Sequence, residues 1–245
     1  MEQGPVVDVN RHYANGGIEW YRVPLNFCAV GICAVYGSKV DAMLQSNVDG
    51  AKSQNLPYVT YGIPDATKDP IWWADFYLDQ YGVQDAPTTI DIEPNLGYLV
   101  TAANALKARN RIAQVTGDLP WYYSNYNYTK QIGNPKWIKE MIVWWAEYLY
   151  EKYPYKYRRL DAWLSSHPWW QPKWAQTLGI APVLHQLSDY GDAPYYLTPP
   201  SGKKSADLNV SLIDKGAFLS LFPMQPLTLE QKVAIMWEAH PELWP

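Results

Sequence analysis

At 245 residues the chain has the length of one large domain, and a β/α barrel is the commonest architecture of that size. It contains no run of about eighteen apolar residues, so the sequence offers no membrane-spanning helix. Its net charge of -4 leaves no basic face for phosphate backbones, which argues against a nucleic-acid partner. The aromatic content is unusual in kind, with 13 Trp and 20 Tyr against 4 Phe. Trp and Tyr join an apolar ring to a polar edge, a pairing suited to sugars as well as to a Trp-rich core.

Short apolar runs alternate with amphipathic stretches, the pattern of repeated βα units. Val6–Val9 and Phe27–Val35 read as the first two strands. Cys28 and Cys33 share the second, about 16 Å apart along an extended chain, too far for a disulfide. Val40, Met43, Leu44, Val48 and Ala51 fall at helical spacing. Leu56–Ile63 reads as the third strand, and Asp69-Pro70 opens a helix that runs to Gly82. Thr88–Glu93 is the fourth strand. The following helix has Leu99, Ala102, Ala103, Leu106 and Ala113 on its inward face. Trp121–Ser124, Met141–Tyr148, Val183–Ser188 and Asp207–Val210 complete eight strands. The expected fold is α/β, a single irregular barrel over residues 1–222 whose later units lose their helices. Residues 148–173, crowded with Tyr, Trp, Pro and basic side chains, read as a long loop beside the barrel mouth. In the tail 223–245, Thr228 and Gln231 form a capping box ahead of a Leu229, Val233 and Met236 stripe. That tail reads as a packed terminal helix, with the stub of a linker as the alternative.

The segment Thr88-Thr89-Ile90-Asp91-Ile92-Glu93 carries the most chemistry. Strand alternation puts Asp91 and Glu93 on one face, about 7 Å apart, where each disfavours ionisation of the other. A glycosidase needs such a pair, one carboxyl protonated for the leaving oxygen and one ionised beside the developing positive charge. Pro94 stops the strand just beyond, placing the pair at the catalytic end of a barrel. Asp8 and Asp207 are further acids at the ends of apolar strands. The four histidines, His12, His167, His185 and His240, have no metal-ligand spacing, and neither a phosphate loop nor a nucleophile elbow is present. No metal or cofactor is expected. The N-terminus lacks the basic start and apolar run of a secretory signal. The chain is therefore expected to be made in a cytoplasm and to act outside it only after release.

Read in order, several short motifs resemble those of glycoside hydrolase family 25, lysozymes common in phages and bacteria. Asp8-Val9-Asn10 with Ile18-Glu19-Trp20 is similar to the family's opening, and Asp41, Asn47 and Gly50-Ala51 to its first helix. Tyr61 falls on a conserved strand tyrosine of that family and Asp91-Ile92-Glu93 on its catalytic Asp-x-Glu. Tyr123-Ser124, Trp144-Trp145-Ala146-Glu147-Tyr148, His185-Gln186 and Asp207-Leu208-Asn209 match the later motifs. The resemblance implies a barrel of five β/α units and three further strands, acting as an N-acetylmuramidase on peptidoglycan glycan strands. By it, Glu93 is the general acid and Asp91 orients an acetamido group or stabilises an oxocarbenium-like centre. Asp8 and Asp207 tune the pair, while Tyr36, Tyr61, Tyr123, Trp144 and Gln186 contact sugar.

The chain departs from the family at Cys33-Ala34-Val35-Tyr36-Gly37, where a Lys and a Glu are lost, and at Gly62 and His185, which replace a His and a Trp. A chitinase-like barrel would need an acid where Thr89 stands. A lectin-like barrel that kept the fold without turnover is the alternative from another class. A monomeric phage or prophage lysin is the expected setting.

Overall fold

The computed structural model describes residues 3–10, 18–25, 27–148, 171–188 and 207–223. The loop 149–170, the terminal stripe of Leu229, Val233 and Met236, and His12, His167 and His240 lie outside them. Nine strands form one sheet: β1 (Gln3–Val9), β2 (Ala29–Tyr36), β3 (Lys39–Val40), β4 (Tyr58–Ile63), β5 (Thr88–Asp91), β6 (Trp121–Asn125), β7 (Val143–Ala146), β8 (Leu184–Ser188) and β9 (Asp207–Asp214). The order is β1-β9-β8-β7-β6-β5-β4-β2-β3, and β1 also pairs with β2. That last pairing closes eight strands into a barrel, leaving β3 as a short hairpin partner of β2.

Among the barrel strands, neighbours from β1 to β8 are parallel, whereas β9 runs antiparallel to both β8 and β1, and the hairpin strand β3 lies antiparallel to β2 outside the ring. The expected α/β barrel is therefore present, with one reversed strand. The reversal matters for Asp207. As the first residue of β9 it pairs with Asp8 near the end of β1, so both acids reach the same rim.

Helices α1 (Leu44–Ser53), α2 (Pro70–Leu78) and α3 (Ala102–Thr116) follow the early strands, and α4 (Tyr126–Gln131), α5 (Lys173–Thr177) and α6 (Lys215–Leu219) are short. Among the described residues no helix is long and apolar enough to cross a membrane. Asp69 caps α2 as its sequence indicates, accepting from the amides of Ile71 and Trp72 at 2.9 Å. Thr101 caps α3 through the amide of Asn104.

Two helix readings need correction. Val40 belongs to β3 and not to a helix; Asp41 follows as a turn whose side chain accepts the Met43 amide at 2.8 Å. The inward face of α3 consists of Ala105, Ala108, Arg109 and Ile112, while Ala103 is exposed. Alanine suits either face, so composition could not fix the phase. Arg109 is buried with its guanidinium paired to the more exposed Glu140 at 2.5 Å.

Strand alternation sorts the interior into two layers. Val7, Val9, Val30, Ile32, Ile90, Ile92, Tyr122, Trp145, Leu187, Leu208 and Val210 belong to the large core with the buried faces of the helices. Val6, Ala29, Cys33, Val59, Tyr61, Trp121, Tyr123, Trp144 and Leu184 fill the barrel itself. Its floor is closed from α6, where Phe218 and then Phe222 bring their rings within 6.3 and 5.8 Å of Trp121. Phe218 is fully buried. Phe218→Ala should therefore cost about 3–5 kcal/mol, the usual range for emptying a buried aromatic site. Urea unfolding should show this as a lower midpoint at unchanged slope.

Candidate active site

A cavity of about 280 Å³ opens at the rim where the parallel strands end. Its lining includes Asp8 of β1 and Asn10 just after it, Cys33 and Tyr36 of β2, Asp41 after β3, Tyr61 and Ile63 of β4, Asp91 at the end of β5 and Glu93 just beyond it. Tyr123, Trp144, Tyr148 and Asp207 complete it. Of the residues the sequence marks as functional, the four acids Asp8, Asp91, Glu93 and Asp207 meet here, together with Tyr36, Tyr61, Tyr123 and Trp144.

Gln186 is not part of the wall. It is buried, and its Oε1 accepts the Tyr123 hydroxyl, which holds that phenol in place. Trp144 does line the cavity but is 1 % exposed, so it is a floor and not an open stacking surface. Its ring packs against the edges or faces of Tyr123 and Tyr61, with centroids 5.1 and 5.9 Å away at nearly perpendicular angles. Gly31 makes room for it. A Cβ there would lie 2.6 Å from the Trp144 ring and 2.8 Å from the Cβ of Asp8.

The two other rim substitutions face elsewhere. His185 is fully buried on the helix side of β8 and its Nε2 lies 3.0 Å from the Glu147 carbonyl; burial lowers its pKa to about 4. Gly62 also faces the helices, where a Cβ would come within 2.8 Å of Val35 and 3.1 Å of Trp73. Only the changes at Cys33 and Tyr36 alter the cavity wall. Tyr36 reaches it through a bulge: the β2–β4 register shifts between Cys33 and Val35, so Ala34 and Val35 both face the outer core and Tyr36 turns inward. Strict alternation from Cys33 would have turned Tyr36 outward.

Glu93 lies beyond the last residue of β5, a correction to the expected strand end. The Ile92 amide still donates to the Tyr123 carbonyl at 2.8 Å, and the Ser124 hydroxyl donates to the Ile92 carbonyl at 2.9 Å. These bonds hold the backbone between the two acids after the regular ladder ends. Pro94, which lacks an N–H, and the turn at Asn95–Tyr98 prevent further pairing.

The acids share a poorly solvated space. Burial pushes the Glu93 carboxyl up to about 7. Asp91 is held well above the usual carboxylate range, first by burial and then by the charges of Glu93, Asp8 and Asp207. Its Oδ1 is buried with no hydrogen-bond partner among the described residues. Burial raises Asp8 to about 7 against the opposing effect of hydrogen bonds from Asn209 and Asp207, with Glu93 adding repulsion. Asn209 Nδ2 donates to Asp8 Oδ2 at 2.8 Å, and Trp144 Nε1 donates to Asn209 Oδ1 at 2.7 Å. Desolvation by burial is the leading cause for both Glu93 and Asp91, and repulsion between the neighbouring acids adds to it.

Asn10, Asp41 and Tyr148 are wall residues that sequence reasoning did not assign to the site. Asn10 had a signal, since it follows Asp8 by two residues and shares its face. Asp41 and Tyr148 appeared only as members of the resembling motifs. Among the described residues no group of three or more His, Cys, Asp or Glu is placed to hold a metal ion.

No family model and no curated protein matches the chain. Solved structures do. A bacterial lysozyme from Streptomyces coelicolor superposes with a TM-score of 0.67 at 16% identity, covering 90% of this chain and 97% of that one. The catalytic domain of an endolysin from bacteriophage P40 of Listeria monocytogenes gives 0.66 at 15%, over 90% and 97%. A family 25 glycosyl hydrolase from Bacillus anthracis gives 0.66 at 17%, over 88% and 92%. At these identities the likeness establishes a shared fold.

The raised carboxyls have a stability signature. Across the window from the ordinary 4.5 to about 7, folded Glu93 keeps a proton that the unfolded chain releases. Stability from this group therefore falls as pH rises through that window and stays low above it. Glu93→Gln is neutral throughout. It should melt several degrees above wild type at about pH 8 and level with it at about pH 4 in paired thermal scans. His185 titrates alike in both proteins and cancels in the difference.

Proposed function

We propose that this chain is a glycoside hydrolase of the muramidase type, cutting the β-1,4 bond between N-acetylmuramic acid and N-acetylglucosamine in peptidoglycan. The observation that carries the reading is the cluster of Glu93, Asp91, Asp8 and Asp207 around one cavity, with Glu93 pushed up to about 7. A carboxyl that keeps its proton near neutrality is what a glycosidic oxygen needs as it leaves. Burying several acids together disfavours every ionisation, so packing alone does not explain the cluster.

In this mechanism Glu93 donates its proton to the bridging oxygen as the bond to the anomeric carbon breaks. The positive charge that grows on the sugar lowers the pKa of any carboxyl beside it, so Asp91 becomes easier to ionise as the transition state forms. The unpartnered Asp91 Oδ1 is an acceptor that an acetamido N–H would satisfy, orienting its oxygen toward the anomeric carbon. That is the substrate-assisted route open to some glycosidases. Water then opens the intermediate, with ionised Glu93 taking its proton. Asp8 is held through Asn209 and sets the local field together with Asp207. Tyr36, Tyr61 and Tyr123 supply the sugar-facing wall.

The lectin alternative drew on altered rim residues, and two of these, Gly62 and His185, face the outer core. The enzyme reading is correspondingly stronger. The setting proposed with this substrate is a monomer acting on the wall after release from the cell that makes it, as a phage or prophage lysin would.

Glu93→Gln should lower turnover of purified peptidoglycan by about 10²–10⁴-fold while glycan binding persists. Wild-type kcat should decline above about pH 7 as Glu93 loses its proton. A variant with more than half of wild-type turnover, or a rate still climbing above about pH 8, would show that Glu93 is not the acid.

Bond specificity has its own measurement. After digestion, borohydride reduction of the new ends and mass spectrometry should find muramitol. Glucosaminitol ends would mean a glucosaminidase. New free amines without new reducing ends would mean an amidase or peptidase and remove the role given to the carboxylates.

A further inference from the structure

The mouth carries an exposed tryptophan outside the cavity wall. Trp174 is 52% exposed at the start of α5, a large ring left open to solvent. Two anchors fix its position. Glu147, the residue immediately after β7, accepts the amides of Lys173 and Trp174 on its two carboxylate oxygens at 3.1 and 3.0 Å. The Trp174 ring packs against Tyr126, the residue immediately after β6, with centroids 5.0 Å apart and planes inclined at 43°. Both anchors leave the carboxyl ends of parallel strands, the same rim on which Asp91 ends β5. Tyr148, next to Glu147 in sequence, is itself part of the cavity wall.

The ring is therefore held and exposed, anchored to strand ends on the same rim as the cavity. A surface tryptophan that served only packing would bury more of its ring. One meant for a protein partner would ordinarily sit within a wider apolar patch. Among the described residues, the groups that hold Trp174 are polar or amphipathic: Glu147, which accepts its amide, and Tyr126, which has the Lys130 ammonium 5.6 Å from its ring centre. An aromatic face bordered by hydrogen-bonding groups matches the apolar C–H face and hydroxyl edge of a pyranose. The cavity is small, at about 280 Å³, so a polymeric substrate must run out over the rim.

We propose that Trp174, braced by Tyr126 and Glu147, is a sugar-stacking platform that binds the glycan strand beyond the cavity on the β6–β7 side and gives the site a preference for long strands. This inference rests on the glycan reading above, and its tests are chosen to separate the two.

Soluble uncrosslinked glycan strands, fractionated by length, are the probe. Trp174→Ala should lower the ratio of long-strand to shortest-strand kcat/KM by roughly three- to tenfold, the loss of one aromatic stack. The change should lie in KM, and Trp174→Tyr should restore most of it. A parallel titration in a Glu93→Gln background should show the same length-dependent loss of affinity. Equal losses on all lengths would mean that Trp174 only supports the fold, and an unchanged ratio would mean that it touches no sugar. Either result overturns the platform while leaving Glu93 catalysis intact. Trp174-dependent binding of strands that the wild type never cleaves would uphold the platform and overturn the hydrolase reading. Failure to bind strands of any length would overturn both.

Discussion

Trp144 fills the barrel at the level where its interior becomes the site. Space for the indole exists because Gly31 has no side chain to occupy it. The ring supports Tyr61 and Tyr123 at near-perpendicular contacts, and its N–H holds Asn209, which in turn holds Asp8. A buried indole N–H needs a partner, and here that need sets the geometry of an acid two hydrogen bonds away. One packing constraint thereby links the barrel floor to two walls and one carboxyl of the cavity.

Above that floor the electrostatics oppose stability. Each carboxyl has lost much of its hydration, and the nearest groups that could compensate are amides, phenols and other acids. Protons are retained as a result, distributed over Asp8, Asp91 and Glu93. The closed barrel tolerates this because backbone hydrogen bonding is complete around its circumference and the outer core is strongly apolar. Retained protons at moderate pH are a liability for folding and the requirement for acid catalysis at a glycosidic oxygen.

The cavity wall also differs in charge from what the family resemblance implies. Cys33 and Tyr36 stand where the resembling family has a Lys and a Glu, so the wall exchanges two charged groups for a thiol and a phenol. Burial keeps the Cys33 thiol protonated, aided by the charges of Asp41 and Asp91.

The sequence by itself determined the features that depend on neighbours along the chain. Alternation placed Asp91 behind apolar Ile90 and Ile92, capping chemistry started α2 at Asp69, and the ordered motifs brought eight strands and four acids to one end of a barrel. Tertiary structure decided what depends on contacts distant in sequence. The phase of α3 came from Arg109 meeting Glu140 and from α2 packing alongside, because its alanines fit either face. Tyr36 entered the cavity through a bulge that arises only where β2 lies against β4, and Asp207 reached the rim because β9 runs backwards between β1 and β8. Gly62 and His185 left the rim for the same reason, since the side a residue faces is set by strand register and closure. Residue types along the chain named the chemistry; burial and pairing across the barrel chose which residues share the cavity and which of them keep a proton.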